Sequence, residues 1–587
     1  MSACSPELSS TDNFSLEVPE SPPTEQSVSA LRGRFERGVV LHLDGKDYFV
    51  KGPMIDGKRD QPGHTWIDLG HGQLLGLHVN TGPLGAPSWW ATGEPDGELL
   101  YIVQAQVDTW SERKLAFYRR QGFVHYHHLV TTDTNRPHPT KVLWMRHFAV
   151  RSFYFDGGPR PWLAHQVQPG LDRDYQPNAK FRYPPKEEFL YVGAVDKGGL
   201  DPDFISVIGT DETDPSTYGK IIHRTDLTQI GDEVHHYGYN ITQTRLLVPG
   251  LFSGRMHLLD IETDPRHPTL VEQHDDLVPS TGYIVPHTVI ALPNGGYMVT
   301  MIGANTPSTG PGGVVELDEH ARFVRYVGPG PNRSPNTAPP EYMYDIGLNL
   351  IRNRAITTSF GLPGNVAPGI TVPGLGDEIN VWDWKNQQII QTVKIGAGTG
   401  PLEVRWLHEP GTTIGYTNAP GSSEIWMWSD VDGDGVYDFR PAITLPPFSI
   451  PTDIIVSHDD RFLYVSNWFG NSVHQYDITD PFNPVLTAQV PIPWAQMLRL
   501  SHDGKRLYVS NSLLSTWDDD EFPPGIIRNT GYGMWKIDIA DPVNGGMAID
   551  PNFFVDFDHV QKQNTIGPAR PHQAFLDPGI AIGFGDH

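Results

Sequence analysis

Two long stretches of the sequence repeat one another at a fixed distance. HDDRFLYVSNWFGNSVHQYDITDP (458–481) and HDGKRLYVSNSLLSTWDDD (502–520) begin with histidines that are 44 residues apart. Each stretch runs from a polar turn into a strand rich in β-branched and aromatic residues. A period of about 40–45 residues is typical of the blades of a β-propeller. Because one such unit cannot bury both of its faces alone, the repeat predicts several units stacked in a ring.

A second pattern divides most of the sequence into such units. LLDIETDP (258–265), YDITDP (476–481) and KIDIADP (536–542) each end a strand with an Asp-Pro turn, where proline cannot donate to a β-ladder. Seven units follow from these signals: 187–228, 236–276, 283–328, 340–395, 402–447, 452–491 and 496–556. They predict a seven-bladed β-propeller over residues 185–587. The alternative is an array of β-sandwiches that does not close.

The residues before the repeats have a different character. Residues 1–30 are rich in serine, proline and acidic residues, which predicts a disordered tail. Residues 31–184 contain strand-like runs such as ELLYIVQAQVDTW (98–110) and predict a smaller β-rich domain of unknown role, with a polar linker at 165–184. The whole chain has 60 glycines, 53 prolines and only 19% charged residues, which favours short strands joined by turns. The predicted fold class is therefore all-β.

Charge, hydropathy and cysteine content exclude several kinds of partner and chemistry. The net charge of −26 repels phosphate backbones and anionic lipid, so we expect no nucleic acid and no membrane partner. No apolar run is long enough to span a bilayer, and the first residues lack an export signal, so we expect a cytoplasmic protein. The only cysteine, Cys4, lies in the predicted tail, which excludes internal disulfides and cysteine-ligated metal centres.

Histidines are the main candidates for chemistry. GDEVHHYGYN (231–240) places His235 and His236 side by side, and adjacent side chains can serve one site only where the backbone departs from a regular strand. His287 in PHTVIAL and His572 in GPARPHQAF lie at other predicted blade entrances. Since blade entrances converge on the channel of a propeller, these four imidazoles are candidate ligands of one copper, iron, zinc or nickel ion.

Further polar residues are candidates for the surroundings of that ion. Asp232 and Glu233 precede the histidine doublet and are candidate acceptors for the second ring N–H of a ligand. PLEVRWLHEP (401–410) adds Glu403 and His408. These two residues either line the same channel or belong to a buried turn with a structural ion pair.

An acidic stretch resembles a calcium loop. SDVDGDGVYD (429–438) carries Asp430, Asp432, Asp434 and Asp438 around a glycine turn. Oxygen ligands at this spacing suit calcium, although proline stands where the final acid is expected. The alternative is an acidic hairpin tip, and a calcium ion here would have a structural role.

A second metal site could also lie in the N-terminal region. Its candidate ligands are His64, His71, His78, His125 and His127. A polar strand face is the simpler interpretation of these residues.

Several blocks of the sequence together resemble one known family. The blocks are DEVHHYGYN (232–240), VWDWKNQQIIQTVKI (381–395), PLEVRWLHEP (401–410), DDRFLYVSNWFGNSVHQYDITDPFNPVLTAQV (459–490), LSHDGKRLYVSNSLLSTWDDDEFPPGIIR (500–528) and DPNFFVDF (550–557). In this order they look like the selenium-binding protein family, whose enzymatic members are methanethiol oxidases. The resemblance covers roughly residues 185–575 and leaves the N-terminal part as an added domain.

The resemblance implies a β-propeller with a copper centre. The family's histidine pattern falls on His235, His236, His287 and His572. In the oxidase members, methanethiol, O₂ and water give formaldehyde, hydrogen sulfide and hydrogen peroxide, so a small thiol and O₂ are the implied partners. A metal- or selenium-binding scaffold without turnover is one alternative, although no cysteine follows Cys4 to bind selenium. A four-histidine non-haem iron oxygenase, built like the carotenoid cleavage enzymes, is the other.

Overall fold

The computed structural model describes most of residues 187–577 and, before them, the backbone of seven strands between residues 39 and 145. The gaps after residue 187 are 241–243, 293–295, 305–309, 332–338, 350–351, 362–373, 385, 408–411, 458–459, 502–503, 519–529 and 541–544. The predicted tail (1–30) and linker (165–184) lie outside the described residues. No helix in the described part of the chain is long and apolar enough to cross a membrane.

The seven early strands form two antiparallel sheets. They are β1 (Val39–Leu43), β2 (Lys46–Val50), β3 (His64–Gly70), β4 (Gln73–Asn80), β5 (Leu100–Val107), β6 (Tyr126–Thr131) and β7 (Thr140–Met145). Strands β1 and β2 form a hairpin, and the other five form a sheet in the order β3-β4-β5-β7-β6. The division of the chain into domains at residue 184 stays a prediction.

Seven four-stranded antiparallel sheets, here called blades one to seven, account for most of the remaining described residues. Blades one to three contain β8 (Phe189–Asp196), β9 (Phe204–Gly209) and β10 (Ile221–Asp226); β11 (Gly238–Tyr239), β12 (Arg245–Pro249), β13 (Met256–Asp260) and β14 (Thr269–His274); and β15 (Tyr283–Ala291), β16 (Tyr297–Ala304), β17 (Gly313–Leu317) and β18 (Phe323–Val327). Blades four and five contain β19 (Met343–Asn349), β20 (Arg354–Ser359), β21 (Glu378–Asp383) and β22 (Gln388–Lys394); and β23 (Val404–Trp406), β24 (Gly415–Ala419), β25 (Glu424–Ser429) and β26 (Asp438–Thr444). Blades six and seven contain β27 (Pro451–Val456), β28 (Phe462–Asn467), β29 (Ser472–Asp477) and β30 (Val485–Pro491); and β31 (Leu498–Leu500), β32 (Arg506–Ser510), β33 (Gly533–Ile539) and β34 (Met547–Asp556).

The remaining elements are short, apart from the strand that completes blade one. They are helix α1 (Leu277–Thr281), helix α2 (Ser515–Asp518), the hairpin β35 (Val560–Gln561) and β36 (Ile566–Gly567), and β37 (Ala569–Leu576). Strand β37 pairs antiparallel with β8, so the fourth strand of blade one comes from the far end of the propeller sequence. The innermost strand of each blade lies beside the innermost strand of the next, as the contacts from β11 to β15, from β15 to β19 and so on to β31 and β37 show. In blade one the innermost strand is β37.

The predicted seven-bladed propeller is confirmed, and the seven predicted units correspond in order to the seven sheets. Strands β21 and β22 pair as an antiparallel hairpin within the predicted unit 340–395. The sequence analysis did not identify β37 as a blade strand. That strand has no repeat partner beside it in the sequence, since its sheet neighbour β8 lies hundreds of residues earlier.

The apolar core lies between neighbouring blades rather than inside one of them. Tyr191 and Val207 of blade one, for example, pack in one buried cluster with Leu246 and Leu259 of blade two. Burying a side chain of this size contributes about 1.5–3 kcal/mol. Stacked blades therefore hold the propeller together and keep the first strands in fixed positions around its axis.

A buried ion pair joins the start of the propeller to its last blade. Both oxygens of Glu187 accept hydrogen bonds from Arg506 of β32, at 2.5 and 2.8 Å, and the hydroxyl of Tyr508 donates to the same carboxylate at 2.7 Å. The Glu187 side chain is fully buried. The neighbouring Glu188 instead pairs at 2.6 Å with Arg266, and both of those side chains are exposed.

This contrast predicts a large difference between two adjacent substitutions. Glu187→Ala leaves a buried guanidinium without its partner, so we expect the free energy of unfolding to fall by about 3–5 kcal/mol. Glu188→Ala removes an exposed pair and should cost less than about 1 kcal/mol. Urea unfolding of both variants measures this. Equal losses would contradict a role for Glu187 in closing the ring.

Candidate metal site

The histidine doublet lies on irregular backbone. Val234 forms an isolated bridge with Gly250, and His235 and His236 follow it before β11 begins. The residue before the bridge, Glu233, has a φ of 56°, in the left-handed region that non-glycine residues rarely adopt. Successive side chains therefore need not point to opposite faces here, as they do in a regular strand, and both imidazoles can be directed to one place.

The two other histidines lie where strands bulge. His287 is in β15, whose pairing with β16 shifts register between Pro286 and Val289. His572 is in β37, whose pairing with β8 shifts between Pro571 and Ala574. A β-bulge locally redirects side chains, and bulges are frequent next to functional sites.

Three of the four predicted ligands form one group of ring nitrogens, and the fourth, His287, packs beside them without belonging to that group. One ring nitrogen from each of His235, His236 and His572 lies within 4.8 Å of the other two. The ring of His287 is centred 3.9 Å from the ring of His236 and 5.2 Å from that of His235. All four side chains are buried. The propeller thus gathers residues from blades one, two and three into one cluster, called here the histidine cluster.

The cluster offers neutral imidazoles with nitrogen lone pairs. Burial lowers the pKa of His572 to about 3, and burial, reinforced by His572 and His287, holds the pKa of His235 well below its ordinary value. Nδ1 of His572 lies 2.8 Å from the carbonyl oxygen of Ser512, so this nitrogen carries the proton and donates it. Nε2 of His572 is buried and has no hydrogen-bond partner among the described residues.

These observations fit a bound transition-metal ion. Neutral imidazole is a good ligand for late first-row metals, and four of them without thiolate or carboxylate suit copper or iron. A ligating histidine usually donates its second N–H to a carbonyl or carboxylate, as His572 does to Ser512.

Glu403, predicted as a channel residue, lies against the cluster. Its Oε1 is 4.0 Å from Nε2 of His236, and its Oε2 accepts a hydrogen bond from Arg405 at 3.0 Å. Burial, with the nearby carboxylates of Asp345 and Asp453, raises the pKa of Glu403 well above its ordinary value. Arg405 opposes this rise and holds the carboxyl group beside His236. His408, the other predicted channel residue, lies outside the described residues.

Asp232 and Glu233, predicted as partners of the ligand rings, form their hydrogen bonds with other residues. Asp232 accepts hydrogen bonds from Ser253 at 2.6 Å and from Arg255 at 2.7 Å. Glu233 accepts one from the backbone N–H of Ser515 at 2.7 Å. The irregular backbone that directs the two histidines inward turns the two preceding carboxylates towards other partners.

An aromatic layer covers one side of the histidine cluster. Tyr344 packs on His287 with ring centres 3.7 Å apart, and it contacts Phe360, which in turn contacts Trp517 of α2. Trp468 and Trp494 belong to the same buried apolar group. The layer thus unites side chains from blades four, six and seven. It gives this side of the site an apolar surface.

The other predicted metal sites are less complete. Asp430, Asp432 and Asp434 bring one carboxylate oxygen each within 4.8 Å of one another, at a partly exposed turn. Asp438 opens β26 and is not in that group, and the calcium site stays a prediction. Among the N-terminal histidines, His64, His78 and His127 lie on β3, β4 and β6, while His71 and His125 lie outside the described residues.

Three residues next to the cluster were missed by the sequence analysis. Tyr344, Thr288 and Ser512 contact His287 or His572 directly. Of these three, only Thr288 could have been found from the sequence, because it directly follows the predicted ligand His287. Ser512 acts through its backbone carbonyl, which any residue type would supply.

Comparisons with known proteins agree with the earlier resemblance. Residues 169–582 match the family described as 56kDa selenium binding protein. The human protein named methanethiol oxidase is 31% identical over 452 residues, which are 66% of this chain and 93% of the relative. Selenium-binding protein 1 of Arabidopsis thaliana is 30% identical over 454 residues, 66% of this chain and 89% of the relative. The X-ray structure of a hypothetical selenium-binding protein from Sulfolobus tokodaii is 30% identical, with a TM-score of 0.59, and covers 68% of this chain and 95% of its own.

Proposed function

This chain belongs to the 56kDa selenium-binding protein family, and we propose that it oxidises a small thiol with O₂ at a copper ion held by His235, His236, His287 and His572. The observation that carries the proposal is the histidine cluster itself. Four buried imidazoles from three blades lie next to one another, three of them with ring nitrogens within 4.8 Å, and Nε2 of His572 has no hydrogen-bond partner among the described residues, which supports a role as metal ligands. Several relatives, among them the human, mouse and rat proteins, are named methanethiol oxidase.

Copper at this position would supply one-electron redox chemistry and a binding point for a thiolate. The chain supplies the surroundings. The carbonyl of Ser512 keeps the proton of His572 on Nδ1, and Oε1 of Glu403 lies 4.0 Å from Nε2 of His236. The aromatic layer gives the site an apolar wall, which suits an uncharged alkyl thiol better than a charged one.

The proposed reaction is balanced with methanethiol as the substrate. Methanethiol, O₂ and water give formaldehyde, hydrogen sulfide and hydrogen peroxide. The carbon is oxidised, O₂ takes up two electrons and two protons to become peroxide, the C–S bond breaks, and the water oxygen ends in the aldehyde.

The test is turnover by protein of defined metal content. Copper-loaded protein supplied with methanethiol in air should release hydrogen peroxide and hydrogen sulfide in equal amounts. Metal-free and zinc-loaded protein should release neither, because zinc cannot change its oxidation state. Copper-loaded protein with no products above the metal-free control would instead indicate a scaffold without turnover. Iron found at the site in protein as purified, with activity that follows iron, would indicate the iron oxygenase.

A further inference from the structure

One buried guanidinium connects three blades beside the histidine cluster. Arg405 of β23 contacts Glu403 at 3.0 Å, Asp345 of β19 at 3.2 Å and Asp453 of β27 at 3.3 Å. All three carboxylates are fully buried, and the arginine side chain is only 4% exposed. Such a group is held in place from several sides, so its members have little freedom to reorient.

The Asp345 branch of this group reaches His287. Thr288 donates its hydroxyl proton to Oδ1 of Asp345 at 2.8 Å, and the same hydroxyl oxygen lies 3.3 Å from Nδ1 of His287. A hydroxyl has one proton, so a hydroxyl that donates to the carboxylate presents a lone pair to the ring. Nδ1 of His287 therefore carries the N–H, and its Nε2 carries the lone pair that a metal needs.

A second branch of this group, through Glu403, reaches His236. Arg405 occupies Oε2 of Glu403, while Oε1 has no hydrogen-bond partner among the described residues and lies 4.0 Å from Nε2 of His236. The 3.0 Å ion pair with Arg405 makes Glu403 a carboxylate, whose oxygens accept hydrogen bonds. Oε1 therefore attracts an N–H at Nε2 of His236, which leaves Nδ1 as the nitrogen with the lone pair.

We propose that Arg405 is the hub of a positioning network that decides which ring nitrogens face the metal: Nδ1 of His236, but Nε2 of His287. His572 also presents Nε2, because the carbonyl of Ser512 holds its Nδ1 proton. The inference rests on the metal site of the proposed function. It adds that the site is asymmetric, and that Thr288 and Glu403 act through the histidines rather than on the substrate.

A crystal structure of the zinc-loaded protein tests the nitrogen assignment directly. Zinc binds imidazole without redox chemistry, so the result does not depend on turnover. We expect zinc bonded to Nδ1 of His236 and to Nε2 of His287 and His572, with Oε1 of Glu403 within hydrogen-bond distance of Nε2 of His236. Zinc bonded to Nε2 of His236, or no zinc at the cluster, would overturn the inference.

Two conservative variants test the network itself. Thr288→Val removes the hydroxyl without changing the shape. In Glu403→Gln, the amide oxygen stays on Arg405, so the NH₂ group faces Nε2 of His236 and favours the wrong tautomer. Each should raise the dissociation constant for Cu²⁺ by about 10–100-fold, the usual effect of losing a partner of a ligand ring. Competition with a chelating dye measures this constant.

The matched control is Thr300→Val. Thr300 is also a buried threonine, accepting a hydrogen bond from the N–H of Thr288 and donating one to the carbonyl of Tyr344, but its hydroxyl contacts no carboxylate or histidine ring. Its Cu²⁺ affinity should stay within about 3-fold of the wild-type value, below the effect expected of a ligand's partner. Equal weakening in Thr300→Val and Thr288→Val would show a general packing effect and overturn the inference.

These results separate the inference from the proposed function. Zinc bound in the asymmetric arrangement by a protein that makes no peroxide with copper would support the network and reject thiol oxidation. Peroxide production by the wild-type protein, together with unchanged copper affinity in Thr288→Val and Glu403→Gln, would support thiol oxidation and reject the network.

Discussion

Replacing His572 with alanine should raise the dissociation constant for copper by more than about 100-fold and abolish thiol oxidation. Loss of a group that only orients a ligand costs about 10–100-fold, and loss of the ligand itself costs more. Nε2 of His572 has a lone pair available for a metal ion, because Nδ1 of the same ring carries the proton and donates it to the carbonyl oxygen of Ser512. His236→Ala should have the same effect. The propeller should stay folded in both variants, because blade stacking stabilises it.

The measurement is copper content after dialysis, together with peroxide production. His474→Ala is the matched control, because His474 is also a buried histidine but bonds to Ser472 and Tyr476 within blade six. That variant should keep its copper and its activity. Full copper occupancy in both His572→Ala and His236→Ala would show that the metal is bound elsewhere.

Replacing Arg405 with methionine should have the largest effect on stability. The substitution leaves Asp345, Glu403 and Asp453 buried without their shared cation. Breaking a buried ion pair from one side costs about 3–5 kcal/mol, and here three carboxylates lose one partner. We expect a loss of at least this size at pH 8.

The loss of stability caused by Arg405→Met should be smaller at acidic pH. Burial raises the pKa of Asp453 to about 6 in the folded protein, above the ordinary aspartate value of about 3.9. Between these values the folded state binds more protons than the unfolded state, so this residue's contribution to stability increases as the pH falls. Without Arg405, which lowers the pKa of Asp453 and Glu403, both carboxyls hold protons more firmly, and the variant should recover part of its stability near pH 5.

Urea unfolding of wild type and Arg405→Met at pH 5 and pH 8 measures both effects. Arg245→Met is the control, since Arg245 forms a partly exposed pair with Asp260 at 2.8 Å. It should cost less than about 1 kcal/mol at either pH. A loss for Arg405→Met that is the same at both pH values would contradict the raised pKa of these carboxyls.

The fold was predictable because each blade repeats its own local signals. RFLYVSN and KRLYVSN contain β28 and β32, and an Asp-Pro pair follows β13, β29 and β33 in the sequence. These local signals mark the units without knowledge of the ring. Strand β37 was not predictable in this way. Its place is set by pairing with β8, which depends on closure of the whole ring.

The histidines that cluster could be predicted from the sequence, but the residues that contact them could not. The doublet His235 and His236 marks irregular backbone in the sequence itself, since no regular strand directs both side chains to one place. The supporting contacts join residues that are distant in sequence, as Thr288 and Asp345 are, or use a backbone carbonyl, as Ser512 does. Proximity in the sequence therefore favoured Asp232 and Glu233, which the structure directs elsewhere.

His572 arrives on the strand that closes the ring. During synthesis, the first three cluster histidines leave the ribosome long before β37 does, so a partly made propeller holds only an incomplete set of nitrogens. The histidine cluster is therefore complete only after β37 has paired with β8. Any activity that needs His572 should be absent from a chain that has not yet closed its ring.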